Sequence, residues 1–284
     1  MKDRLSSAAI IIFFVAAIVI FNNTFPIALN IAIALISVLS VYEIISALGL
    51  SKNTILLIPT IVFSAILPFI QSLSVAFPSI QYHILQQTAY FIYTVTMFGS
   101  LIFYHKFVTF REVGVIYSMA LLIPTALETI ISLRTFGQDH GMFYVLIAIS
   151  SAWVADTGAF FAGSFWGKHK LCPNISPKKT VEGVMGGFLL NIAAMIVFGY
   201  IFHVIYYKYS VEISYLSLVL IGIFGTIMSI LGDLSFSLIK RSCHIKDFSE
   251  IIPGHGGILD RFDSVIFSAP FVYLFVQIMP IVTG

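Results

Sequence analysis

Nine apolar runs of roughly 17–25 residues follow one another along the chain, at about 5–21, 26–48, 55–77, 84–104, 113–132, 142–163, 184–206, 215–239 and 264–281. Runs of that length are what helices need to cross a hydrocarbon core of about 30 Å. Their continuity selects helices over a barrel, whose strands would alternate in polarity over segments of about 10 residues. The expected fold class is therefore an all-α polytopic membrane protein with about nine transmembrane helices. Composition agrees, with 59% hydrophobic and only 10% charged residues, against about 25% charged in soluble domains. No long polar block offers a soluble domain, so residues 1–284 read as a single integral membrane domain, with amino-terminal helices in 1–140 and the chemistry in the helices and loops of 141–284. The net charge of +2 singles out no partner, and no nucleic acid is expected as one. Cys172 and Cys243 lack CxxC spacing and are expected to be free thiols. The start, MKDRLSSAAIIIFFVAAIVIF, has the outline of a signal peptide but no small-x-small cleavage site before Asn22, and is read as a retained first helix.

Basic residues orient the spans, because cytoplasmic loops retain an excess of Lys and Arg. With nine spans, one face collects Lys2, Arg4, Lys52, Lys106, Arg111, Lys168, Lys170, Lys178, Lys179, Lys240, Arg241, Lys246 and Arg261, and the other only Arg134 and Lys208, a split of 13 to 2. The amino terminus and the two longest, most polar loops are then expected to be cytoplasmic. Those loops are WGKHKLCPNISPKKTVEGVMGG after span six and the stretch from KRSCHIKD to LDRFD after span eight.

Glu43, Glu128, Asp156 and Asp233 lie inside apolar runs, where an aspartate at the helix centre costs about 2.5–3.5 kcal/mol on insertion scales, so each calls for a partner or a function. Asp156 and Asp233 sit among small residues and precede the two polar loops, which favours chemistry. Glu43 and Glu128 are isolated in apolar surroundings, which favours plain interhelical bonding. Asp260 and Asp263 are three apart at the start of span nine and would share a helical face with Ser264 beside them. Aspartates converging from spans six, eight and nine would suit a hard, oxygen-seeking cation, Mg²⁺ foremost where phosphate is also bound. An ordinary acidic helix start accounts equally well for DRFD taken alone.

PGHGG, just before, permits close backbone approach at Gly256 and Gly257, and amides before a helix start can hold an anion. His255 either donates to a phosphate or bonds its own loop. Lys240, Arg241 and Lys246 add positive field. ISPKKTVEG supplies Ser176, Lys178, Lys179 and Thr180, residues able to clamp phosphates although no Walker loop is present. There is no GxSxG, and Cys243 beside His244 is weak support for a nucleophile.

SLIKRSCHIKDFSEIIPGHGGILDRFD, residues 237–263, resembles the signature of the phosphatidate cytidylyltransferases, or CDP-diacylglycerol synthases. That pattern runs S-x-apolar-K-R, four residues, K-D, then H-G-G-apolar-x-D-R-apolar-D. DTGAFFAG and GKHKLCPNISPKKTVEG resemble the family's other motif region, with Ser164 and Trp166 as departures. The resemblance implies an inner (plasma) membrane enzyme that makes CDP-diacylglycerol and pyrophosphate from CTP and phosphatidic acid, with Mg²⁺ and a second, monovalent cation such as K⁺. It also points to a homodimer. By position it implies Asp233, Asp260 and Asp263 as metal-associated acids and Lys240, Arg241, Lys246, Asp247, His255 and Arg261 as the polar catalytic cluster. Asp156, Ser176, Lys178, Lys179 and Thr180 match the upstream motif and, with Gly256 and Gly257, are expected to contact substrate. A CTP-dependent lipid kinase of the polyprenol type and a transporter of a phosphorylated solute are the competing readings. The complete KR…KD…HGG…DRFD string weighs against the first, and the absence of an inverted repeat in the sequence weighs against the second.

Overall fold

The computed structural model describes residues 25–77, 81–252 and 256–283. Each expected span within those residues is a helix, and the run at 5–21 lies outside them. Among the described residues seven helices are long and apolar enough to cross a membrane: Ile27–Ala47, Thr54–Leu73, Phe110–Phe136, Gln138–Trp166, Val181–Tyr206, Tyr215–Ser242 and Leu259–Ile278. The helix Tyr82–Phe103 is not among them, because His83, Gln86, Gln87 and Thr88 dilute its first turns. The fold is all-α and polytopic, as expected. Both cysteines are free thiols.

The chain divides into two compact units, one formed by residues up to 131 with 243–261, the other by 132–242 with 262–284. In the first unit, helix α1 (Ile27–Ala47) packs on α2 (Thr54–Ile66). A short 3-10 turn, Leu67–Phe69, follows, then α3 (Ile70–Ala76) and α4 (Tyr82–Phe103). Pro68 has no N–H to continue the helix. The buried Asn30 of α1 donates its Nδ2 to the Pro68 carbonyl at 2.6 Å and to Ser72 Oγ at 3.1 Å, so the interruption is satisfied from a neighbouring helix. Helix α5 (Phe110–Phe136) begins with a reciprocal cap: the Thr109 N–H donates to Glu112 Oε2 at 2.7 Å and the Glu112 N–H to Thr109 Oγ1 at 3.3 Å.

Helices α4 and α5 are joined by polar rungs spaced along both. Tyr90 and Thr125 hydroxyls lie 2.8 Å apart, as do those of Thr94 and Tyr117. Glu128 accepts from Tyr82 Oη and from Gln86 Nε2. Its buried carboxylate is thus the interhelical bond that its isolation in the sequence suggests.

The second unit is built on α6 (Gly141–Trp166), α7 (Val181–Ile201), α8 (Tyr215–Ser242) and, after a four-residue helix α9 (Leu259–Phe262) whose last residue begins it, α10 (Val265–Ile278). A π-helical turn, Phe202–Tyr206, extends α7. Between α6 and α7 runs a small hairpin, β1 (Lys170–Cys172) antiparallel to β2 (Ser176–Thr180), in a stretch that the sequence presents only as a loop. A second pair, β3 (Glu212–Ile213) with β4 (Val282–Thr283), ties the entry of α8 to the end of the described chain.

Helices α6 and α7 approach through small residues. A Cβ added to Gly186 would stand 2.1 Å from Ala162 Cβ, one on Gly183 2.7 Å from the Ala159 carbonyl, and one on Gly158 2.8 Å from the Gly186 carbonyl. Backbones meeting at that distance gain dispersion contacts without any hydrophobic drive, which is how helices associate in lipid. Outward positions stay apolar, Phe160, Phe165 and Leu189 among them, as a lipid solvent permits.

Gly186→Leu is expected to destabilise the second unit by about 1–3 kcal/mol or more, because the added atoms overpack an interface with no slack. Gly99→Ala, where the added methyl meets nothing within 4 Å, is expected to be neutral or slightly stabilising. Thermal unfolding of the detergent-purified protein measures both.

Candidate functional site

In the second unit, α6, α8 and the turn before α10 bring three of the flagged acids to one place, where the hairpin adds Lys179. Asp156 of α6 accepts hydrogen bonds from Ser229 Oγ of α8 at 2.9 Å and from Ser264 Oγ at 2.6 Å. Asp233 of α8 accepts from Ser237 Oγ at 3.1 Å, and its Oδ2 lies 2.5 Å from Lys179 Nζ of β2. Asp263 accepts from the Ser264 N–H at 2.8 Å, and its Oδ2 stands 3.9 Å from Lys240 Nζ. The carboxylate of Asp263 is also within electrostatic reach of Asp233 and Asp156.

The spacing along α8 explains how one helix serves all of this. Ser229, Asp233 and Ser237 recur every four residues and Lys240 follows three later, so all four lie along one face. Gly232 lets the chain at Asp263 come close, since a Cβ there would stand 2.5 Å from the Asp263 carbonyl. The hairpin is placed as tightly. Thr180 Oγ1 accepts from the Gly183 N–H at 3.1 Å and caps α7, while Gly163 and Gly167 leave room for its side chain. Glu182 accepts from the Lys168 and His169 amides and from the His169 ring. With Thr180 held, adjacent strand residues point opposite ways: Lys179 turns to Asp233, whereas Lys178 is exposed and Ser176 pairs with Cys172 across the hairpin.

The cluster thus holds three acids, Asp156, Asp233 and Asp263, against two lysines, Lys179 and Lys240, with serine hydroxyls between them. Its donors toward a cation are all oxygens, the chemistry of a hard divalent ion. Among the described residues no group of three or more His, Cys, Asp and Glu side chains is already arranged to hold a metal. The fit is therefore one of donor type and charge. The lysines stand against two of the acids.

The remaining flagged residues that are described belong to the first unit, except Arg241, which is exposed at the end of α8 in the second. His255 lies outside the described residues. Lys246 and Asp247 are exposed neighbours with nitrogen and oxygen 3.9 Å apart. Within the span Leu259–Ile278 a two-residue turn at Asp263 and Ser264 separates helix α9 (Leu259–Phe262) from α10. Asp260 Oδ2 accepts from the Phe248 N–H at 2.9 Å and the Gly257 N–H at 3.0 Å. The Ile258 and Leu259 amides donate to Glu43, at 2.9 and 2.8 Å. The amides expected to await a phosphate are thus held by carboxylates of the chain itself.

The sequence assigns no role to Ser229 or Glu182, and marks Ser237 only as the first position of the 237–263 signature. The four-residue spacing of the serines around Asp233 was the available signal. Glu43 lies in an apolar run whose sequence suggests only interhelical bonding, since nothing local joins it to a segment more than 200 residues away.

A helical membrane protein with carboxylates, hydroxyls and lysines gathered at one place is the class that this fold and site define. The chain belongs to the Cytidylyltransferase family, whose model matches residues 2–279. It is similar to the phosphatidate cytidylyltransferase of Bacillus subtilis, with 41% identity over 165 residues, 58% of this chain and 58% of that protein. The protein of that name from Haemophilus influenzae is 34% identical over 166 residues, 56% of each chain. That of Aquifex aeolicus is 41% identical over 137 residues, 48% of each. The chain thus spans about half the length of the curated relatives it matches.

Burial ranks the ion pairs. Lys240 and Asp263 are 10% and 9% exposed, Lys179 and Asp233 20% and 27%, and Lys246 and Asp247 79% and 48%. Lys240→Met should cost about 3–5 kcal/mol by stranding a buried carboxylate, and Lys179→Met less. Lys246→Met should cost under about 1 kcal/mol. Melting temperatures in detergent at neutral pH test that order.

Proposed function

We propose that the protein transfers the cytidylyl group of CTP to phosphatidic acid, giving CDP-diacylglycerol and pyrophosphate, as an integral enzyme of phospholipid biosynthesis. The observation that carries the reading is the cluster itself. Lys179 from the ISPKKT segment closes on Asp233 at 2.5 Å and Lys240 stands 3.9 Å from Asp263, so both motif regions of the sequence contribute charge to one constellation. Membership of the Cytidylyltransferase family and the shared name of the relatives support the same substrates.

The chemistry asks little covalent work of the chain. The phosphate monoester of phosphatidate is anionic at neutral pH and attacks the α-phosphorus of CTP without a strong base. A new P–O bond forms there, and the bond to the oxygen bridging the α- and β-phosphorus breaks, its electron pair leaving with pyrophosphate. Rate then comes from alignment and from charge neutralisation in a site of low dielectric. Lys179 and Lys240, now paired with carboxylates, can trade those partners for phosphate oxygens. Asp156, held by two hydroxyls, orients Ser229 and Ser264 toward the same place. Mg²⁺ held by Asp233 and Asp263, with a monovalent cation such as K⁺ as a second ion, would supply neutralisation of the phosphate charge when bound.

The reading places the protein in the cell's inner (plasma) membrane as a single membrane domain, with residues 141–284 bearing the site. The 13 to 2 split of basic residues supports cytoplasmic loops and amino terminus, the side from which CTP comes. A homodimer belongs to the same reading, supported by the sequence resemblance.

Incubation with phosphatidate vesicles, Mg²⁺ and CTP labelled at the α- or γ-phosphorus tests it. Label in extracted lipid from the α position alone is expected. Label from γ would mean a kinase, and label from neither would sink the proposal. Asp233→Asn and Asp263→Asn are each expected to lower α transfer by about a hundredfold or more in protein that still inserts and folds. Near-normal rates in both would remove the cluster from the reaction.

A further inference from the structure

Glu43 is 1% exposed in an apolar helix, yet three donors converge on it. Ser249 Oγ and the Ile258 N–H donate to Oε1 at 2.5 and 2.9 Å, and the Leu259 N–H donates to Oε2 at 2.8 Å. All of these groups belong to the first unit. The carboxylate therefore ties together Ser249 at one end of the loop and the amides that open helix α9 at the other. Gly257 completes the fit, because a Cβ there would stand 2.6 Å from both Glu43 oxygens. Gly256 makes the turn at φ 81°, its carbonyl accepting from the Ile252 N–H at 3.0 Å. Asp260 holds the Gly257 amide.

We infer that Glu43 is a positioning residue, a buried clasp that sets the glycine turn and the start of the helix bearing Asp260 and Arg261, and that Gly257 is glycine to admit this carboxylate rather than a phosphate. The inference rests on the proposed cytidylyl transfer for its kinetic arm only. Glutamine cannot replace the clasp. Its amide NH₂ would face an N–H or O–H donor at one of the two oxygen positions, leaving a buried donor unpaired.

The test is a double-mutant cycle on the full-length protein in detergent, with Glu43→Gln, Gly257→Ala and the pair together. Deuterium exchange is followed in a peptide covering residues 256–262 and in the helix Tyr82–Phe103 as internal reference, alongside kcat and KM for CTP. Glu43→Gln should speed exchange at residues 257–259 at least tenfold and lower kcat at least tenfold, with KM for CTP within about twofold. Gly257→Ala should do the same, and the pair should be no worse than either alone. Ser249→Ala, which removes one donor and leaves the helices untouched, should give a smaller local increase and is the readout if Glu43→Gln loses protection in the reference helix too. Unchanged exchange at 257–259 in Glu43→Gln, or in Ser249→Ala where that serves as the readout, would overturn the inference. So would Gly257→Ala raising KM for CTP with the turn undisturbed, or losses that multiply in the pair. Absence of any transfer by the unmodified protein would count against the proposed function alone, with the exchange cycle still deciding the clasp.

Discussion

A carboxylate in an apolar helix must find donors, since the surrounding hydrocarbon offers none. Four acids, Glu43, Glu128, Asp233 and Asp263, meet that demand in two ways. Glu43 and Glu128 are met by hydroxyl, amide and backbone N–H donors, which satisfy the charge without cancelling it. Asp233 and Asp263 are met in part by lysines, whose charge partly cancels theirs. In the proposed reading the first pair of acids holds segments in place, and the second, with Asp156, belongs to a site with ions to trade.

The trade requires rigid placement, and small residues provide it. The approach of α6 and α7 through Gly158, Gly183 and Gly186 brings the end of one helix beside the start of the next. Thr180 fits into the space that Gly163 and Gly167 leave, so Lys179 leaves the hairpin in one direction. An ion pair between a strand and a helix is then determined by helix packing more than by the flexible lysine stem.

Much of this was legible. The apolar runs mark the helices, and the small neighbours of Asp156 and Asp233 mark a place where helices meet. Three things were not. The hairpin at 170–180 has no alternating apolar face to announce it, because both strands lie at a polar end of the unit. Helix α9 stops before Asp263 with neither glycine nor proline at the break, so nothing in the sequence announces the turn at Asp263 and Ser264. The glycines before it resemble a phosphate cradle, since the same absence of side chain admits a phosphate or a glutamate. Only the position of Glu43, 206 residues before Ser249, distinguishes the two.

In the proposed reading the three acids of the cluster, Asp156, Asp233 and Asp263, outnumber its two lysines, Lys179 and Lys240, so that the site can accept a divalent cation. Electron paramagnetic resonance of Mn²⁺ with the detergent-solubilised protein, in the presence of a non-hydrolysable CTP analogue, tests it most directly. Mn²⁺ bound by the unmodified protein, displaced by Mg²⁺ and lost in Asp233→Asn and Asp263→Asn while retained in Asp139→Asn, is the expected result. Binding that survives in both cluster variants, or no binding in the unmodified protein, would contradict the account.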